Sequence, residues 1–242
     1  MLSEQEHGFK SMHRIKEFLA DAEKIGKLQQ QSTAGKIPVI SRETASILES
    51  VCFIAKPVNI LEIGCGNGYS TYFLTKHFFL FMDRGTDAGR DHMSDIILCY
   101  TGIDLNRERL SHARDFITGL FSDKSNNEIP ANITLEFIPG NALKVIPGLS
   151  GYFDMVFIDA AKFQYPDYIK AVEGKLSDGC IIIADNIFYS NKVLNNNIGK
   201  HDKNSVNGLR NYIKFILGND HYSTDFINTG DGIAISIFKK DP

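Results

Sequence analysis

Two segments of the sequence place oxygen-bearing side chains directly after short apolar runs. In FDMVFIDAAK the run ends in Asp159, and Lys162 follows three positions later. In CIIIADN the run is followed by Asp185 and Asn186. If both runs are strands of one parallel sheet, these side chains lie at the carboxyl edge, where ligands bind. Such oxygens suit a hard divalent cation, and a nearby lysine suits proton transfer. The alternative is that the acids merely end two strands and that the lysine is solvated.

A glycine-rich loop forms a second candidate site. In ILEIGCGNGYS, glycines at 64, 66 and 68 follow an apolar strand and precede a helical pattern. Glycine lets the backbone turn sharply and approach a ligand closely. The pattern is GxGxG, whereas the dinucleotide fingerprint GxGxxG would need glycine at the position of Tyr69. A nicotinamide dehydrogenase is therefore disfavoured.

Two carboxylates accompany this loop. Glu62 lies inside the apolar strand before the glycines, where a carboxylate is costly unless it is paired. A ligand ammonium group would pair it. Asp104 ends the next strand, where an acid can accept hydrogen bonds from ribose hydroxyls. The alternative is a structural turn with two surface acids.

The elements that must position these residues alternate between strand and helix. This alternation predicts an α/β fold with a doubly wound, mostly parallel sheet. The last two strands are joined by the short turn NTGD, so they must be antiparallel, with the last strand inserted into the sheet. Strands are predicted at 58–63, 97–104, 133–138, 153–159, 180–185, 222–227 and 232–238, and helices at 13–28, 41–55, 69–78, 106–121, 165–176 and 204–217. Ser41 and Asn106 are predicted N-caps, and SDG, 177–179, is a predicted turn before the fifth strand.

Length and composition limit the number of domains and the class of protein that the chain can form. Its 242 residues with 43% hydrophobic content predict one domain, 1–242, with a helical cap at 1–56 and an α/β core at 57–242. The net charge of −3 gives no global attraction to nucleic acid. The polar start MLSEQEHGFK is unlike a signal peptide, and the four scattered cysteines favour the cytoplasm. Segments Phe81–Asp95 and Ser190–Asn204 are predicted to be loops.

The order of ILEIGCGNGYST, TGIDLN, GNAL, FDMVFIDAAK and IIIADN resembles the class I S-adenosyl-L-methionine (SAM)-dependent methyltransferases. More narrowly, these blocks are similar to the cation-dependent O-methyltransferases of the catechol and caffeoyl-CoA type, including their bacterial branch. The resemblance runs from about Gly35 to GDGIAISIFK. It implies a Rossmann-like sheet of seven strands with N-terminal helices, methyl transfer to a hydroxyl, and SAM and Mg²⁺ as cofactors.

The resemblance also implies a role for each matching residue. Residues expected to bind the cofactor are Ile40, Glu62, Gly64, Cys65, Ser70, Asp104, Ala142 and Asp159. Residues expected to bind the metal are Asp159, Asp185 and Asn186. Catalysis is assigned to Lys162, beside the reacting hydroxyl, and to Asp159. The chain departs from the family pattern at Ala161, in the Phe81–Asp95 insertion and in IFYSNK after Asn186. These departures affect which substrate is expected and not which reaction is expected.

The acceptor and the partners stay open at the level of sequence. A small molecule with adjacent oxygens is the leading acceptor, because two oxygens can chelate a metal ion. KIPVIS and IDAAKFQYP also resemble enzymes that methylate 5-hydroxyuridine at the tRNA wobble position. Phosphate contacts would then come from Lys36, Arg42, Lys192, Lys200 and Lys203. A non-catalytic cofactor-binding protein would be expected to lack the acids or Lys162. A homodimer is expected, and no membrane partner.

Overall fold

A computed structural model of the chain describes residues 23–82, 97–122 and 128–241. The chain divides into two compact units, residues 1–39 and 40–242. The first unit contains helix α1 at 23–34, which ends where Gly35 N donates to Gln31 O over 2.8 Å. The predicted helix at 13–28 is confirmed from residue 23 onward, and its earlier part lies outside the described residues. In the described part of the chain, no helix is both long and apolar enough to span a bilayer.

The second unit is built on one seven-stranded sheet of order β3-β2-β1-β4-β5-β7-β6. Neighbouring strands among β1 to β5 pair in parallel, whereas β7 runs antiparallel to both β5 and β6. The predicted sheet, including the insertion of the last strand, is confirmed. The strands are β1 (Asn59–Ile63), β2 (Leu98–Asp104), β3 (Ile133–Pro139), β4 (Phe153–Ile158), β5 (Leu176–Asp185), β6 (Tyr222–Ile227) and β7 (Ile233–Phe238).

Helices alternate with the strands as the sequence pattern predicts. Ser41 and Asn106 act as N-caps, since their side chains accept from Thr44 N and Arg109 N, respectively. The third helix extends to Met82, beyond the predicted end at residue 78. The predicted loop Phe81–Asp95 is therefore wrong at its first two residues, and its remainder, 83–95, lies outside the described residues. The helices are α2 (Arg42–Ala55), α3 (Tyr69–Met82), α4 (Arg107–Phe121), α5 (Ala142–Val145), α6 (Tyr165–Glu173) and α7 (Lys203–Leu217).

The start of β5 differs from the sequence prediction. The segment SDG at 177–179 was predicted to be a turn, but it lies inside β5, which begins at Leu176. Gly179 has φ +77°, and the pairing of β4 with β5 shifts register between Phe153 and Met155. Residues between the two registers form a bulge, which a glycine at positive φ accommodates. The turn-forming residues therefore bend a continuous strand.

The core that supports the carboxyl edge lies between the sheet and the α6–α7 pair. Val156 and Ile158 of β4 and Ile182 of β5 are fully buried within it, together with Tyr165 of α6 and Tyr212 of α7. The tyrosine rings meet edge to face, with their centroids 5.7 Å apart. This packing fixes the segment between β4 and α6, which carries Lys162. The second predicted loop, Ser190–Asn204, contains one 3-10 turn, Lys192–Leu194, and leads into α7.

Candidate active site

The ends of β4 and β5 bring the two predicted acids together. Ile158 is paired with Ala184 across the parallel strands, so Asp159 and Asp185 follow at adjacent strand ends. Asp159 N donates to Ile63 O of β1 over 3.0 Å, which holds the first acid against the centre of the sheet. Asp185 is 2% exposed, and burial followed by the charge of Asp159 raises its pKa to about 6. The two carboxylates therefore repel each other within one site.

Lys162 lies at the same edge. It begins a 3-10 turn, Lys162–Gln164, and its Nζ is 2.7 Å from Asp159 Oδ1. The ammonium group is also 5.6 Å from the centroid of the Tyr165 ring. Both side chains of the ion pair are partly buried. Lys162 thus lies beside the first acid, while its place next to the reacting hydroxyl and its catalytic role stay predictions.

The N-terminus of α2 reaches the second acid. Thr44 Oγ1 donates to Asp185 Oδ1 over 3.4 Å, and Ser41 Oγ lies 3.2 Å from Thr44 Oγ1. Ile40, which the resemblance assigns to the cofactor, is buried directly before this pair of hydroxyls. The start of α2 is thus part of the site. Thr44 carried no signal of its own in the sequence, because a threonine in the first turn of a helix usually serves the cap alone.

Tyr165 connects the ends of both strands. Its hydroxyl lies 3.2 Å from Ile158 O and 3.0 Å from Asp185 O, so one donor serves both carbonyl groups. Burial, together with the charges of Asp159 and Asp185, holds the pKa of Tyr165 well above its usual range. The phenol therefore keeps its proton and remains a donor. The sequence analysis placed Tyr165 at the start of a helix without assigning it a function.

The glycine loop lies against the first acid. Gly64 has φ +96°, and a Cβ at this position would overlap the carbonyl oxygen of Asp159. Gly64 N donates to Ile103 O over 2.8 Å, which ties the loop to the end of β2. Only glycine permits both the positive φ and this approach. The predicted cofactor loop and the predicted metal site therefore share one edge of the sheet.

Asp104 is held by backbone groups at the end of β2. Its Oδ2 accepts from Gly66 N over 2.9 Å, and its Oδ1 accepts from Asn106 N over 2.8 Å. Gly140 N donates to the main-chain oxygen of Asp104 over 2.9 Å, which brings the segment before Ala142 to the same place. Ala142 itself begins α5 and is buried. The loop, Asp104 and Ala142 thus line consecutive strand ends.

Glu62 is fully buried and accepts hydrogen bonds from three hydroxyl groups of the protein. Its Oε1 accepts from Ser70 Oγ, and its Oε2 accepts from Thr71 Oγ1 over 2.6 Å and from Tyr100 OH over 2.5 Å. Burial raises the pKa of Glu62, and the three hydroxyls oppose that rise. The hydroxyls therefore offset the cost of burial only in part, and direct contact of Glu62 with a ligand ammonium group stays a prediction.

A glycine within β2 makes room for this cage of hydroxyls. Glu62 is paired with Gly102, and a Cβ at residue 102 would lie 2.5 Å from the Tyr100 hydroxyl oxygen. An isolated glycine inside a strand often marks such a close approach. That glycine was the available sequence signal for Tyr100.

Cys65 of the glycine loop is a buried thiol. Its pKa is raised well above the ordinary value, first by burial and then by the charges of Glu62 and Asp104.

Asn186 follows Asp185 directly and has φ +54°. Its position completes the oxygen-donor set that the sequence resemblance assigns to a metal. Within residues 23–82, 97–122 and 128–241, no group of three or more His, Cys, Asp or Glu side chains could hold a metal ion. The predicted set therefore depends on an amide oxygen as its third donor. Asparagine oxygens are ordinary ligands of hard cations but not preferred ligands of zinc.

This arrangement matches a known family of proteins. A family model described as O-methyltransferase matches residues 99–239, which is more than half of the chain. The chain belongs to the O-methyltransferase family. The predicted family and enzyme class are thereby confirmed. A catechol O-methyltransferase from Niastella koreensis is 22% identical over 209 residues, covering 83% of this chain and 82% of that protein.

Solved O-methyltransferases show the same fold. An O-methyltransferase from Bacillus cereus, in complex with SAH, has a TM-score of 0.69 and 21% identity, covering 90% of this chain and 91% of that chain. The O-methyltransferase TomG from Streptomyces achromogenes, involved in tomaymycin synthesis and in complex with SAM, has a TM-score of 0.69 and 20% identity, covering 90% of each chain. These similarities confirm the predicted Rossmann-like architecture of this O-methyltransferase.

Proposed function

We propose that this O-methyltransferase moves a methyl group from SAM to a hydroxyl of a small catechol-like or vicinally oxygenated substrate, with the help of a divalent cation. One observation carries the proposal: Asp159 lies against the glycine loop and, at the adjacent strand end, acts electrostatically on Asp185. The main-chain oxygen of Asp159 abuts Gly64, and its charge helps to raise the pKa of Asp185. A cofactor in the loop and a substrate bound at the acids would therefore be neighbours.

The residues of the loop fit SAM. Asp104 lies at the carboxyl end of β2, where its two oxygens already accept backbone hydrogen bonds and are fixed in place. Two solved O-methyltransferases with a similar fold are in complex with SAM and with SAH, respectively. SAM would supply the electrophilic methyl group. The protein residues would position it, since glycines at 64 and 66 let the chain lie close to the ligand.

The acids fit a hard cation such as Mg²⁺. Two carboxylates lie together, and Asp185 is almost fully buried, which is unfavourable without positive charge. Among the ion pairs of the described residues, Lys162 supplies the one cation at this pair, and it contacts Asp159 alone. The buried carboxylate of Asp185 and the neighbouring amide of Asn186 support a cation site. A bound cation would lower the pKa of an acceptor hydroxyl.

Lys162 is placed to handle the proton of the acceptor. Its ammonium group is held 2.7 Å from Asp159 Oδ1 and is partly buried. In this position the ammonium group can stabilise an oxyanion. After it has released a proton to solvent, the neutral amine can instead accept the proton of the acceptor hydroxyl. The rigid backbone around Asp159 fixes the distance between Lys162 and the glycine loop. Positioning of the reactants in this way contributes to the rate.

The alternative acceptor is the wobble base 5-hydroxyuridine of tRNA. Its hydroxyl stands beside a carbonyl, so it offers the same pair of oxygens. Of the lysines predicted to contact phosphate, Lys192 is 3.0 Å from Asp202 Oδ2 and is thus already engaged. The relative from Niastella koreensis is described as acting on catechol. A small acceptor is therefore preferred.

The proposal is tested by three measurements on the purified protein. Calorimetry should show binding of SAM, and methylation of a catechol should require Mg²⁺ and cease on addition of EDTA. Asp185→Asn should lower kcat/KM by about 100-fold or more, because the site loses a buried carboxylate that would bind the cation. Asp225→Asn, a change of an exposed acid on β6, is the matched control. Activity that persists in EDTA and in Asp185→Asn would overturn the role of the metal.

Incubation with undermethylated tRNA and with catechol separates the two acceptors. Transfer of labelled methyl to catechol alone supports the proposal. Transfer to tRNA alone would replace the small acceptor with the wobble base and would leave the roles of SAM and the metal intact. Binding of NAD in place of SAM would contradict the assignment of the cofactor.

A further inference from the structure

The ends of β4 and β5 are joined by a single side chain that comes from α6. Tyr165 OH lies 3.2 Å from Ile158 O and 3.0 Å from Asp185 O. These two carbonyl oxygens belong to the peptide groups 158–159 and 185–186. The first peptide group precedes Asp159, and the second joins Asp185 to Asn186. One phenol thus holds the orientation of both peptide groups from which the proposed metal ligands project.

The ring of the same residue has two further contacts. Lys162 Nζ is 5.6 Å from the centroid of the Tyr165 ring. The ring of Tyr212 meets the Tyr165 ring edge to face at 5.7 Å and 81°. Tyr165 is fully buried. Its hydroxyl therefore has a fixed position, and it cannot turn toward solvent to find another acceptor.

We propose that Tyr165 is a positioning residue, whose hydroxyl sets the separation and direction of Asp159, Asp185 and Asn186 for a divalent cation. This inference rests on the proposed function. It differs from a simple structural role because the hydrogen bonds reach the two carbonyl groups that adjoin the proposed ligands. A cation with strict octahedral geometry tolerates little displacement of its ligands. Loss of the hydroxyl should therefore affect metal affinity more than folding.

The chain offers a matched pair of substitutions. Tyr165→Phe removes the hydroxyl and keeps the ring that contacts Lys162 and Tyr212. Tyr212→Phe removes a hydroxyl from the other buried ring of the same pair. Tyr212 OH is buried without a hydrogen-bond partner in the described part of the chain. Its removal should therefore leave both strand ends unchanged.

The experiment is a titration of each protein with Mg²⁺ by calorimetry, in the absence of acceptor, with a separate titration with SAM. Tyr165→Phe should bind Mg²⁺ about 10-fold more weakly than the wild type, as is typical when a residue behind the ligands is removed. Tyr212→Phe should bind Mg²⁺ with wild-type affinity. All three proteins should bind SAM with similar affinity, which shows that the glycine loop is intact.

The outcomes separate this inference from the proposed function. If the wild type and Tyr165→Phe bind Mg²⁺ equally, Tyr165 is no positioning residue, and the proposed function stands. If the wild type binds SAM but not Mg²⁺, the metal part of the proposed function fails and this inference fails with it. Should Tyr165→Phe not fold, the titration is repeated in a Gly119→Ala background, a change on the exposed side of α4 with open space around it. A chain that folds in neither background also overturns the inference, because the fold would then require the hydroxyl.

Discussion

Gly208 of α7 lies directly on the backbone of Lys162. A Cβ at residue 208 would be 2.6 Å from the Lys162 carbonyl oxygen and 2.5 Å from the Cα of Phe163. Real Cβ atoms do not approach backbone atoms so closely. The absence of a side chain at residue 208 therefore lets α7 press on the 3-10 turn that carries the proposed catalytic lysine. A helix far along the sequence thus determines where Lys162 stands.

Gly208→Ala should separate α7 from this turn. Replacing glycine by alanine inside a helix usually stabilises a protein by about 1 kcal/mol. Here the overlap should reverse the sign and lower the free energy of unfolding by about 1–3 kcal/mol. Urea unfolding measures the change, and kcat should fall with it because Lys162 moves. Gly119→Ala in α4, where no atom lies within 4 Å of the new Cβ, is the matched control and should be neutral or stabilising.

Lys162→Met should reduce kcat and spare the binding of the cofactor. The substitution keeps much of the aliphatic chain and removes the ammonium group that lies 2.7 Å from Asp159 Oδ1. Loss of a side chain that transfers a proton in the reaction typically lowers the rate by about 100-fold or more. Steady-state kinetics should show this fall in kcat with little change in the KM for SAM. Lys214→Met, on the exposed side of α7, is the control. Equal activity of the two variants would show that Lys162 has no catalytic role.

Tyr100→Phe should weaken the cage around Glu62. The hydroxyl donates to Glu62 Oε2 over 2.5 Å in a fully buried environment. Removing one partner of a buried charged group leaves that group less well satisfied and costs about 1–3 kcal/mol of stability. The loss should be visible in urea unfolding. Tyr212→Phe, which removes a buried hydroxyl without a partner in the described residues, should cost far less. Equal losses would show that the hydrogen bond from Tyr100 to Glu62 contributes no stability of its own.

His77 should make the stability of the fold sensitive to acid. Its side chain is 2% exposed, its Nε2 lies 3.1 Å from Pro57 O, and burial lowers its pKa from the ordinary value of 6.5. The unfolded chain therefore binds more protons than the native chain as the pH falls below 6.5. Stability should decrease in that interval by up to about 1.4 kcal/mol per pH unit from this group.

Unfolding in urea at pH 7.5 and at pH 5.0 measures this dependence. His77→Gln should lose less stability than the wild type between the two values, because the variant has no imidazole to protonate in the core. His112→Gln, on the exposed side of α4, is the control for the loss of a histidine. If His77→Gln shows the same acid dependence as the wild type, another group is responsible.

The sequence by itself determined the order of the elements, the sheet and the identity of the acids. Periodicity located each strand, and the positions of Asp159 and Asp185 at strand ends followed, because parallel strands end at one edge. Local residue types also gave the caps Ser41 and Asn106. Segment SDG was misread as a turn, since Gly179 favours a turn and a bulge equally well when its neighbours are unknown.

Only the tertiary structure decided how the charges of the site are held. The hydroxyls of Thr71 and Tyr100 donate to Glu62, where the sequence suggested a ligand. Tyr165 joins two strand ends, and Gly208 seats a distant helix against Lys162. These contacts link residues far apart along the chain through single atoms. Periodicity and motif spacing report which face a residue occupies, but a hydrogen bond depends on distances of a few tenths of an ångström that only the packed chain defines.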